Sequence, residues 1–275
     1  MKTILIGVDY SESSKNAALY GVKLAKSSQS MVILQHVYLL PTPVSEVPYL
    51  FTPFDDIQHE NEKELQKEAE RLSELVPGVE IQTIVSVGLP AATIIDTAEE
   101  NNVNLIVLGM KQYASGMEKL IGSTADEASR LSKIPVLAIP PGSSFEPIQT
   151  VTYATDFSYK LNPIGLETLK TILTDFNARL QIVNIKKVEE EVSTVAYNQC
   201  VSKFNTVFEG IDHNFYTHIS NKVEEGLMTF LLDNHSQILV MVAHRHNFFA
   251  RIFKIQHTKE MLHSTYIPLL ILNDK

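Results

Sequence analysis

The feature that most constrains this chain is that it says nearly the same thing twice. Residues 3–10, "TILIGVDY", and residues 150–157, "TVTYATDF", are both apolar runs that end in an Asp and an aromatic residue. A serine follows each, Ser11 and Ser158. Helical patterns come next, "ESSKNAALYGVKLAKSS" and "LNPIGLETLKTILTDF", and then second apolar runs at 31–37 and 179–185. Late in each half "NLIVLG" (104–109) parallels "QILVMVA" (237–243), and the halves close on "IPVLAI" (134–139) and "IPLLIL" (267–272). Recurrence of matching segments in one order is the mark of a duplicated unit. Between the copies, "PPGSSFEP" (140–147) holds three prolines, a glycine and two serines, which predicts an extended connector. The chain therefore divides into domains at 1–141 and 148–275, each of an ordinary single-domain size.

Within the first copy, short β-branched apolar runs (3–8, 31–37, 80–87, 104–109, 135–139) alternate with helical patterns (12–28, 57–76, 90–101, 122–132). Leu65, Ala69, Leu72 and Val76 are spaced to share one face of the charged helix 57–76. Strands that are apolar almost without interruption belong to a parallel sheet covered on both sides. The predicted fold is α/β: two tandem Rossmann-like domains, each a five-stranded parallel sheet with helices on both faces. In such sheets ligands bind beyond the carboxyl ends of the strands, at the topological switch point.

Four features of the first copy fall at those ends: Asp9 with Ser11, His36 with Val37, Gly109, and the triplet Gly122-Ser123-Thr124 that opens the last helix. A helix start offers unpaired N–H groups and the positive end of a dipole, and the glycine lets a phosphate come close. The loop matches neither the P-loop, since no Gly-Lys-Ser/Thr follows, nor the G-x-G-x-x-G fingerprint. Each residue also has a plainer reading: Ser123, Thr124 or Asp9 as a helix cap, and Gly109 as a turn glycine.

The segments "ILIGVDYSESS", "VGLPAATIIDTAEENNVNLIVLGMK" and "GSTADEASRLSKIPVLAIP" resemble the universal stress protein family across residues 1–141, and more faintly across 148–275. Many members bind ATP through G-x-x-G, nine residues, then G-S/T. Here Gly109-Met110-Lys111-Gln112 is followed by nine residues and then Gly122-Ser123, so the spacing matches while Gln112 replaces the second glycine. The resemblance implies an adenine-nucleotide-binding stress-response or signalling module in which Asp9 and the backbone of Val8 and Val37 hold adenine and ribose. Gly109, Gly122, Ser123 and Thr124 would cradle the phosphates of ATP, with Mg²⁺. It also implies a fold of the adenine nucleotide alpha hydrolase type, whose last strands pair with each other within the chain or across a homodimer.

The second copy departs further. Ala243 stands where Gly109 would be, and no glycine occurs from there to the last residue, so it reads as a degenerate copy that serves as partner surface for the first. Seven of the nine histidines lie in it, and His244, His246, His257 and His263 lack a further ligand at a zinc spacing. No enzyme motif is present, so turnover is expected to be at most weak ATP hydrolysis. A net charge of −9 without a basic cluster argues against nucleic acid, and no apolar run reaches a membrane span. One cysteine, Cys200, reads as a buried thiol and points to the cytoplasm. Beside the nucleotide module stand two other readings, an interaction scaffold that binds no nucleotide and an ATP-using enzyme.

Overall fold

A computed structural model describes residues 1–40, 54–110, 123–156, 163–187, 194–242 and 267–273. The first copy runs β1 (Thr3–Val8), α1 (Glu12–Ser27), β2 (Met31–Tyr38), α2 (Phe54–Leu75), β3 (Ile81–Val87), α3 (Pro90–Glu100), β4 (Leu105–Gly109), α4 (Ser123–Leu131) and β5 (Val136–Ile139). The second runs β6 (Thr150–Ala154), α5 (Pro163–Phe176), β7 (Arg179–Lys186), α6 (Thr194–Val207), β8 (His213–Ile219), α7 (Val223–Asp233), β9 (Ile238–Val242) and β10 (Leu269–Leu272).

Each copy forms a five-stranded parallel block, and the two join into one ten-stranded sheet of order β3-β2-β1-β4-β5-β10-β9-β6-β7-β8. Only the central pair is antiparallel, Leu269 against Ala138, Leu270 against Leu137 and Ile271 against Val136. Leu137 and Leu270 occupy the same place in their strands, so a local two-fold passes between them and the contact is isologous. The last strands thus pair within the chain, as one of the two expectations had it. Both last-strand edges are filled by this pairing, and a second copy of the chain would have to use another surface.

Strand alternation sends residues to opposite faces, and helices cover both. One core cluster joins Ile4, Ile6 and Leu34 with buried residues of α1, α2, α5 and α6 along one face of the sheet, and the other joins Leu5, Ile33 and Ile106 with buried residues of α3, α4 and α7 along the opposite face. The α2 face predicted from spacing is the one in the core: Leu65, Ala69, Leu72 and Val76 are all buried. Fully burying such a side chain contributes roughly 1.5–3 kcal/mol. Edge strands β3 and β8 are only half covered, in keeping with their mixed composition.

The connector 140–149 is irregular and exposed along much of its length, but it is anchored at particular residues. Phe145 lies edge-on to Tyr20 of α1 at 5.3 Å and 6.4 Å from Phe176 of α5, and Ile148 is buried. The copies also share details that residue identity conceals. Asn104 Oδ1 accepts from Lys2 N and Thr3 N (2.9 and 3.1 Å), and Gln237 Oε1 accepts from Gln149 N and Thr150 N (3.0 and 2.8 Å). Pro135 and Pro268, which have no N–H to give, open the last strands, and their carbonyls accept from Ile106 N and Leu239 N, each at 3.0 Å.

Candidate functional site

The strand order reverses direction between β1 and β4, which makes the carboxyl ends of these strands the switch-point crevice. Val8 ends β1 and pairs with His36 of β2, and Val37 is the next residue along. Ile6 pairs with Val107, so in continued register Gly109 lies level with Val8. Val8, Asp9, Val37 and Gly109 therefore share one end of the sheet. Ser123 and Thr124 form the first turn of α4. Gly122 lies outside the described residues, as do Gln112, Gly116, Ala243 and the histidines 244, 246, 257 and 263.

Asp9 is exposed and its carboxylate is already at work. Asp9 Oδ1 accepts from Ser11 N at 3.1 Å and from the Ser11 hydroxyl, while Ser11 is the N-cap of α1 and accepts from Ser14 N at 3.3 Å. Ser14 Oγ donates to Ser11 O (3.0 Å) and accepts from Asp9 N (3.2 Å). Ser11 rather than Asp9 is thus the helix cap, and Asp9 orients it. The turn holds Tyr10 at φ 60°, a left-handed conformation that is uncommon for a bulky residue.

Gly109 has a packing reason of its own. A Cβ there would lie 2.6 Å from Ser13 O, against the backbone of the first turn of α1. The glycine lets β4 slide under the start of that helix, and Met110 N then donates to Ile139 O at 2.9 Å.

His36 is placed at a strand end by the sequence but is given no role there. Its Nδ1 sits 2.8 Å from Val8 O, and a carbonyl only accepts, so Nδ1 carries the proton and Nε2 of the neutral ring is an acceptor. The ring lies 4.6 Å from Tyr10 and is stacked 6.4 Å from Tyr38. Among the described residues neither phenol hydroxyl, both buried, has a hydrogen-bond partner. Burial first, and then the Glu64 and Glu68 carboxylates, push the Tyr10 phenol well above its usual range, so it stays neutral. Glu68 is buried and paired with Arg71 by two short contacts, 2.8 and 2.6 Å. The signal for His36 was its place on the helix-covered side of β2, two residues beyond the buried Leu34.

The second copy has the same tie. Asn184 of β7 stands where His36 does, and its Nδ2 donates to Thr155 O at 2.9 Å, in front of Asp156. Its Oδ1 is buried and, among the described residues, has no hydrogen-bond partner. Where the first copy has Glu68, one turn before the buried Leu72, the second has Cys200, one turn before the buried Phe204. Burial pushes the Cys200 thiol up to about 11, with Asp156 adding to the rise and Lys203 opposing it, so the thiol is unreactive at neutral pH.

A family model for the universal stress protein family matches residues 1–140. The chain belongs to the universal stress protein family. The universal stress protein YxiE of Bacillus subtilis is 33% identical over 143 residues, taking in 50% of this chain and 97% of that protein. The universal stress protein MJ0531 of Methanocaldococcus jannaschii is 29% identical over 146 residues, 50% of this chain and 81% of that protein. A solved universal stress protein from Archaeoglobus fulgidus shares the fold end to end, with a TM-score of 0.71 at 19% identity over 99% of this chain and 98% of that one. The α/β fold and the family of this universal stress protein thus agree with what its motifs implied. Among the described residues no helix is long and apolar enough to cross a membrane, and no group of three or more His, Cys, Asp or Glu is placed to hold a metal.

Proposed function

We propose that the first copy, residues 1–141, binds ATP with Mg²⁺ and that the protein is a nucleotide-responsive stress or signalling module of the cytoplasm. The second copy, 148–275, then serves as its built-in partner. The observation that carries this reading is the meeting of Val8, Asp9, Val37 and Gly109 at one end of the sheet, at the switch point. Asp9, Val8 and Val37 would face adenine and ribose. Gly122, Ser123 and Thr124, at the start of α4, would receive the phosphates, since a helix start has spare N–H donors.

The triphosphate of ATP carries several negative charges, which a divalent cation such as Mg²⁺ would offset. The sequence contains no recognisable catalytic motif for phosphoryl transfer, so we read the site as one for binding rather than turnover.

A second reading is favoured by two observations. Asp9 Oδ1 is engaged in its own turn, and Gly109 is required by packing alone, so neither needs a ligand to account for it. With Gln112 in the loop, the protein would then be an interaction scaffold. Calorimetric titration of MgATP decides between the two. The nucleotide reading expects saturation at about one ATP per chain, abolished by Gly122→Val; no heat up to about 1 mM ATP, a very weak interaction, would leave the scaffold.

A further inference from the structure

We propose that Asn273, supplied by the second copy, is a positioning residue for the phosphate end of the first-copy nucleotide site and acts through α4. The inference rests on the nucleotide reading above and adds to it a residue that no binding motif contains.

α4 packs against α3, β4 and β5 through small side chains. It has nine residues, and its buried members Ala125, Ala128 and Ser129 offer little apolar area. A helix this short gains little from its own cooperativity, so its ends matter. At its carboxyl end the carbonyls have no partner within the helix. Ser132 N closes one of them by donating to Ala128 O at 2.9 Å. Another is closed from 143 residues away: Asn273 Nδ2 donates to Arg130 O at 2.9 Å. Asn273 is only 4% exposed, and it follows β10, whose pairing with β5 fixes its place. Arg130 in turn reaches back along α4 to Asp126, with Nε 3.3 Å from Oδ2.

The helix whose first turn carries Ser123 and Thr124 is therefore fastened at its far end by the other copy. Loosening the fastening lets the axis of α4 move and displaces the N–H groups at its start, which a phosphate would contact and an unphosphorylated nucleoside would not. An amide that merely glued the copies together would affect both ligands alike.

The test is the ratio of ATP to adenosine affinity, measured by calorimetry with Mg²⁺ on the full chain. Asn273→Asp keeps the shape, removes the donor and sets a carboxylate against the Arg130 carbonyl; Asn273→Ala serves where that variant does not fold. Either is expected to weaken ATP about fivefold or more while adenosine stays within about twofold, a coupling of ordinary size. Thr168→Val is the control. It removes another hydrogen bond between the copies, Thr168 Oγ1 to Asn104 O at 3.3 Å, which involves no residue of α4. It should leave the ratio unchanged. An unchanged ratio in the Asn273 variants, with wild type binding ATP normally, overturns the role of Asn273 and spares the nucleotide reading. A wild-type protein that binds no ATP overturns both.

Discussion

The carboxyl end of β1 and that of β6 are the same construction with different fittings. Each strand ends ahead of an aspartate, Asp9 or Asp156, and each is tied to its neighbour by a side chain that donates to the last carbonyl, His36 to Val8 and Asn184 to Thr155. What differs is the surroundings. The first copy places an aromatic stack and the Glu68–Arg71 pair beside the tie, whereas the second has Cys200, a thiol with a raised pKa, at the position of Glu68. The tie belongs to the scaffold, because it survives a change of residue so long as a donor remains. The fittings are where the copies have parted, and that is where function is to be sought.

The comparison can be broken most severely at Gly109. Gly109→Ala gives the first copy the residue found at the corresponding place in the second, and it drives a methyl into the Ser13 backbone, which cannot easily withdraw. We expect a loss of about 2–4 kcal/mol of stability, read from denaturant unfolding. An unchanged midpoint would mean that β4 and α1 do not meet so closely. Any ATP titration of this variant must be read together with its stability.

A smaller effect sharpens the comparison at the tie. His36→Phe keeps a ring of similar size and leaves the Val8 carbonyl without its donor, which should cost about 1–3 kcal/mol. His36→Asn installs the second copy's solution, and a loss below about 1 kcal/mol is expected, since an amide N–H replaces the imidazole N–H. Equal losses in the two variants would show that the ring, and not the hydrogen bond, carries the role.

Much of this was legible in the sequence, for identifiable reasons. The strand β1 has the limits that its apolar run gave, and the α2 face read from Leu65, Ala69, Leu72 and Val76 is the buried one. Both follow from periodicity, which burial enforces residue by residue. The closing pairs "IPVLAI" and "IPLLIL" were legible because both must be apolar on two faces. Other parts were not. The ties at His36 and Asn184, and the clamps at Asn104 and Gln237, use different residue types for one hydrogen bond, so nothing repeats in the letters. The edge strand β8, "HNFYTHI", is half exposed and lacks the apolar run that marks its buried neighbours. The connector reads as extended from its prolines and serines, and that reading gives no sign that Phe145 and Ile148 anchor it to the core. For the site, sequence supplied the glycines and Asp9. It could not show that Gly109 is claimed by α1, or that α4 is fastened from the second copy.

The most direct test of the account is amide hydrogen exchange of the whole chain with and without MgATP. A nucleotide held by the first copy should protect the peptides that contain Val8 to Ser14, His36 to Tyr38 and the start of α4, and leave those around Thr155 and Asn184 unchanged. Protection around Thr155 and Asn184 instead, or no protection anywhere at saturating ATP, would contradict it.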